Sequence, residues 1–161
     1  METLVAHLFR FVLYSMFGLC MEVLFAAHGI DVVLGYKVPR RVPRKYLEGF
    51  VSLTMIPLHG LGLLFLFEPG AAAIQELHFT LRFALYAVGI TATEAAYGWL
   101  CEKVLGFYSW DYYAGSKYRV FKRGYTLWTL VPLWGLAGML LEPYSQLVKH
   151  LAPFAVEFFL G

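Results

Sequence analysis

From Leu81 to Leu105 the chain is apolar over more than the roughly 20 residues that a membrane span needs, yet it carries Glu94 in its middle third. A charged side chain at a bilayer centre costs on the order of 3 kcal/mol on insertion scales. A helix here must therefore turn its carboxylate towards protein or water. The pattern also occurs 72 residues earlier, where Arg10-Phe11-Val12-Leu13-Tyr14 and then Glu22 match Arg82-Phe83-Ala84-Leu85-Tyr86 and then Glu94. Two copies of so costly an arrangement imply a repeated unit.

Composition sets the class. Hydrophobic residues make up 60% of the chain and charged residues 15%, against about 45 to 50% apolar in ordinary soluble domains. The expectation is an all-α polytopic membrane protein, one domain over residues 1–161, with no room for a separate soluble domain. Met1-Glu2-Thr3 lacks the basic start of a signal peptide, so the first apolar run is expected to be the first helix. Cys20 and Cys101 have no pairing or zinc-type spacing and are expected as small apolar residues.

Apolar runs at 4–28, 50–67, 79–101 (extending towards Leu105) and 125–141 suggest four transmembrane helices. The tail 144–160 is short, carries Lys149, His150 and Glu157, and contains Pro153. It is expected as a short C-terminal interfacial or half-inserted helix. The repeat extends into the loops and the even helices: Asp31, Gly35 and Lys37 recur as Asp111, Gly115 and Lys117, and Gly49, Thr54, Pro57, Gly60 and Glu68-Pro69 recur as Gly124, Thr129, Pro132, Gly135 and Glu142-Pro143. Internal repeats thus cover about 4–69 and 76–143. Each is a hairpin, and an even number of spans keeps the two parallel about an axis along the membrane normal. Glu22 and Glu94 are then expected to approach one another at a central cavity.

Ten of the thirteen Lys and Arg residues lie in 29–48 and 102–123. Short cytoplasmic loops hold such an excess, so both loops are expected in the cytoplasm of a bacterial inner membrane, with the N-terminus outside.

Tyr14, Gly18 and Glu22 follow at steps of four, as do Tyr86, Ile90, Glu94, Gly98 and Glu102. Such steps keep to one helix face with a drift of about 40°. Each stripe must face the bundle interior or a wet cavity. Two carboxylates and two phenols there suit ligand binding or proton relay, or else only hold helices together. Arg10 and Arg82 lie roughly 18 Å of helix from Glu22 and Glu94, too far to pair along one helix. They are expected at outer headgroups or at an anion near the cavity mouth. His59 lies deep in an apolar run and suits a proton carrier, a ligand or a packed polar group. No close ligand spacing supports a metal site. Five aromatics within 107–113 suggest an interfacial belt, while Asp111 among them either caps local structure or opens onto a site. The ligand-binding or proton-relay candidates are Glu22, Glu94, Tyr14, Tyr86, Glu102, Asp111, Trp110, Tyr112 and His59.

Glu94, Gly98-Trp99-Leu100, Glu102-Lys103, Gly106, Trp110-Asp111-Tyr112, Gly124 and Trp134-Gly135, with Tyr14-Ser15, Gly18, Glu22, Pro57 and Gly60 in the first half, resemble the bacterial family named putative ABC-transporter type IV. That family is similar to the vertebrate transmembrane protein 229 group. The resemblance covers most of 11–141 and implies a multi-span membrane protein. No G-x-x-x-x-G-K-[ST] motif occurs. Three classes fit: a transporter or permease component binding a small or lipid-like ligand, a membrane-embedded enzyme using Glu and Asp as acid and base on a lipid or isoprenoid, and a structural or assembly subunit. Expected partners are membrane lipids, such a ligand, and a second copy or a transporter subunit. Nucleic acid, metal and cofactor are not expected.

Overall fold

The computed structural model describes residues 1–39 and 48–161. Arg40, Arg41, Arg44 and Lys45, which weigh in the basic-loop argument, lie outside the described residues. The regular elements are helices: α1 (Glu2–His28), α2 (Ile30–Leu34), α3 (Met55–Gly62), a π-helical turn (Leu63–Phe67), α4 (Glu68–Ile74), α5 (Phe79–Leu105) and α6 (Val131–Leu160). Short 3-10 turns at Asp111–Gly115 and Trp128–Leu130 lie in the segment between α5 and α6.

α1 packs on α3 and on α6, and α6 on α5. Polarity in this bundle is inverted relative to a soluble domain. Leu4, Leu8, Val12 and Met16 on α1 point outwards, each about half exposed or more, while Ser15, Glu68, Glu94, Glu142 and Ser145 are buried. Soluble monomers rarely expose contiguous apolar patches above a few hundred Å², so this surface suits an apolar solvent. Among the described residues, α1 and the continuous helix Met55–Ile74 are long and apolar enough to cross a membrane.

α3 runs into α4 through a turn in which the Glu68 N–H donates to the Leu63 carbonyl, five residues back. Spacing supplies the cause. Gly60 and Glu68 are eight residues apart, while Gly135 and Glu142, at the matching positions of the second sequence copy, are seven apart. A π turn takes up one additional residue within a helix. Proline is not sufficient to produce it, since α6 remains α-helical at Pro143.

Two expectations are corrected. The tail does not form a separate short helix: α6 is continuous for 30 residues through Pro143 and Pro153. Its buried stripe, Gly135, Gly138, Glu142, Ser145, Val148, Ala152 and Ala155, passes both prolines without a break. Pro153, Lys149, His150 and Glu157 all lie on the exposed face, where a missing backbone hydrogen bond does not interrupt packing. Tyr144 anchors this part to α1, donating from its hydroxyl to the Leu13 carbonyl at 2.9 Å. The even helices also start later than their apolar runs, at Met55 and Val131 rather than Phe50 and Tyr125. The non-helical stretches ahead of them build the site.

Candidate functional site

Glu22 of α1 and Glu94 of α5 line one cavity, walled by Phe50, Val51 and Ser52 ahead of α3 and by Ser109, Trp110, Tyr112 and Tyr113 beyond α5. Its volume is about 30 Å³. A water needs roughly 10 to 15 Å³ by this measure, so the cavity admits water-sized species. Drug-sized ligands occupy about 300 to 1,000 Å³, far more than this space offers.

The two carboxylates are held differently. Glu94 is buried, and its Oε2 accepts from Thr126 Oγ1 at 2.5 Å and from Trp134 Nε1 at 3.1 Å. Both donors flank the start of α6. Glu22 is about a quarter exposed, and its Oε1 lies 3.5 Å from His59 Nε2 of α3. That nitrogen is buried and, among the described residues, has no hydrogen-bond partner. The His59 ring sits where a side chain on Gly18 would be: a Cβ there would fall 2.1 Å from His59 Cγ. Glycine at 18 therefore sets how closely the imidazole approaches α1.

A hydrogen-bonded cap closes the cavity on the side of the segment between α5 and α6. Non-helical backbone at such a place must find partners for its carbonyls, and side chains supply them. Trp110 Nε1 donates to Tyr125 O at 2.8 Å, Tyr97 to Thr54 O at 2.6 Å, and Tyr108 to Arg123 O. Thr54 and Ser109 join their hydroxyls across the two halves. Tyr36 donates to Tyr112 O at 2.5 Å, Ser116 to Leu34 O at 2.7 Å and Thr129 to Val33 O at 2.8 Å. Tyr108, Trp110 and Tyr113 are buried and only Phe107 stands exposed, so this stretch is not the expected interfacial belt. Burial pushes the Tyr108 phenol up to about 12. Burial above all, with Glu22 and Glu94 adding to it, raises Tyr112 and Tyr113 as well, so all three phenols remain neutral.

The family model described as Putative ABC-transporter type IV matches residues 9–159. The chain belongs to that family. Neither a curated protein nor a solved structure matches it.

The match to this transporter-type family takes in both carboxylates, the cap and nearly all of α6. Of the candidates read from sequence, Glu22, Glu94, Trp110 and Tyr112 meet at the cavity and His59 stands behind Glu22. Others go elsewhere. Asp111 begins a 3-10 turn with its side chain exposed and no cap hydrogen bond. Glu102 pairs with Arg123 at 3.1 Å and accepts from Tyr125.

Tyr14 does not belong with Glu22. It is fully buried and donates to Glu68 Oε1 at 2.5 Å, while Arg10 Nη1 holds Glu68 Oε2 at 2.6 Å. Arg82 forms the corresponding ion pair with Glu142. Tyr86 lies beside it, stacked on Phe67, and its hydroxyl has no hydrogen-bond partner among the described residues. Neither arginine is an isolated headgroup anchor, because each finds its carboxylate on a neighbouring helix. The sequence reading missed Glu68 and Glu142 as partners, although their recurrence before proline was the signal. Thr126 and Trp134 as donors to Glu94 had no comparable signal, since such a contact depends on how α6 docks.

Proposed function

We propose that this member of the family is a multi-pass inner-membrane transporter component, and that the cavity between Glu22 and Glu94 is where it takes up a small polar or cationic species. One observation carries the reading: two carboxylates from different helices share a water-sized cavity inside a bundle whose outer surface is apolar. Ionisable groups at such depth are costly, and they mark ion, proton or substrate paths. A cavity of about 30 Å³ suits a proton on water or a monatomic cation. A lipid-like ligand requires the cap to part.

The orientation follows the basic loops, with the cap in the cytoplasm and the N-terminus outside. The parallel-hairpin arrangement is supported by the matching ion pairs Arg10–Glu68 and Arg82–Glu142. It is supported too by matching close packing, in which a Cβ on Gly60 would meet Phe11 at 2.3 Å and one on Gly135 would meet Phe83 at 2.7 Å.

Native mass spectrometry of the gently purified protein tests the reading, comparing wild type with Glu94→Gln and analysing extracted lipids and metabolites alongside. The expected result is a specific bound species lost in the variant. If both proteins assemble alike and carry nothing that distinguishes them, no species is held at the carboxylates and the reading falls.

A further inference from the structure

Glu22 and Glu94 occupy matching places in the two sequence copies, yet their partners differ in kind. The residues facing them from the even helices are His59 in Pro57-Leu58-His59-Gly60 and Trp134 in Pro132-Leu133-Trp134-Gly135. An indole N–H is a permanent donor with nothing to give up, and Trp134 with Thr126 saturates Glu94 Oε2. An imidazole donates from one nitrogen or from both, depending on whether it holds a proton, and it changes state between about pH 5 and 8. His59 Nε2 is buried, 3.5 Å from Glu22 Oε1, and among the described residues makes no hydrogen bond.

We infer that the two carboxylates divide the work: Glu94 is a fixed anchor, and Glu22 with His59 forms the proton-exchanging pair of the cavity. The inference rests on the proposed role of the cavity. Glu22 lines the cavity while His59 Nε2 is sealed from it, so Glu22 is the route between them. A hydronium in the cavity gives its proton to Glu22 and leaves water, and Glu22 passes that proton to Nε2. The products are a carboxylate and an imidazolium joined by the hydrogen bond now missing. The return step restores the neutral ring. The ionisable groups around the pair are Glu94 of α5 and the Tyr112 and Tyr113 phenols of the cap. α6 presents Trp134, and the stretch ahead of it Thr126, which do not ionise. Arg10, Glu68, Arg82 and Glu142 are engaged in their own pairs.

Labelling with N,N′-dicyclohexylcarbodiimide, on the full chain in lipid nanodiscs and mapped by mass spectrometry, tests this. The reagent adds to a protonated carboxyl: the acid's proton goes to one nitrogen, its oxygen bonds to the central carbon, and the side chain gains one whole reagent molecule with nothing leaving. Towards low pH, wild-type Glu22 is expected to label several-fold more slowly than Glu22 in His59→Gln, because imidazolium keeps the carboxylate ionised. A ring that merely filled the slot at Gly18 would leave the pH profile unmoved. A profile that His59→Gln does not change overturns the inference. If His59→Gln does not assemble, His59→Asn takes its place. Labelling requires no transported species, so the pair can stand if the ligand experiment fails, and can fail while that experiment succeeds.

Discussion

The two ends of this bundle manage buried charge in opposite ways. Away from the cap, Arg10 and Arg82 each meet a carboxylate from a neighbouring helix, and charge is cancelled where it stands. At the cavity under the cap, hydroxyl and indole donors hold Glu94, and two carboxylates share the space without an arginine or lysine among its lining residues. Removing one partner of a buried pair leaves an uncompensated charge, so the first kind of site is committed to structure. The second, on the reading proposed above, is where a species from outside is taken up. Location in a helix bundle does not distinguish a functional carboxylate from a structural one; the nature of its neighbours does.

That contrast is open to direct tests. The largest effect is expected from Arg10→Ala, which leaves the buried Glu68 charge uncompensated and should cost about 3 to 5 kcal/mol. Thermal unfolding in detergent measures it, and near-wild-type stability would show that the pair is only incidental. Gly124→Ala comes next, at about 2 kcal/mol for a strained backbone. Gly124 has φ +77°, and its Cβ would fall 2.6 Å from Ala114 N in the cap, so the same unfolding assay should register it without loss of the Arg10 pair. Trp134→Phe removes one donor from Glu94 and should cost about 1.5 kcal/mol, with Glu94 becoming more reactive to carbodiimide. An unchanged reactivity would mean that Trp134 does not hold the anchor. Asp111→Asn, at an exposed site, should stay within about 0.5 kcal/mol. A larger loss would place Asp111 back among the site residues.

Periodicity carried much of this into view. The steps Tyr14-Gly18-Glu22 and Ile90-Glu94-Gly98 mark inward faces, and they led to a shared cavity for the two glutamates. The arginines were misread because their spacing was judged along one helix, whereas the partners come from the next helix in the bundle. Phe107 to Tyr113 resembled a belt because composition records ring chemistry and not direction, and direction here is set by carbonyls that need donors. Pro153 looked like an interruption, yet it lies on the exposed face of α6. Family and broad class were legible in the motifs. The size of the cavity was not, because it depends on how the stretches before α3 and α6 fold over the ends of α1 and α5.

The π turn at Leu63–Phe67 has a consequence for chain length. The second copy reaches its Glu-Pro pair with one residue fewer, so the first copy carries what amounts to a single-codon surplus. Removing one outward residue, Phe65 or Leu66, should close the turn to an ordinary helix and still bring Glu68 to Arg10. Lengthening α6 by one residue between Gly135 and Glu142 should create such a turn there. Length changes elsewhere in these helices would rotate every residue beyond them out of register. At this one place the chain has room to lose a letter.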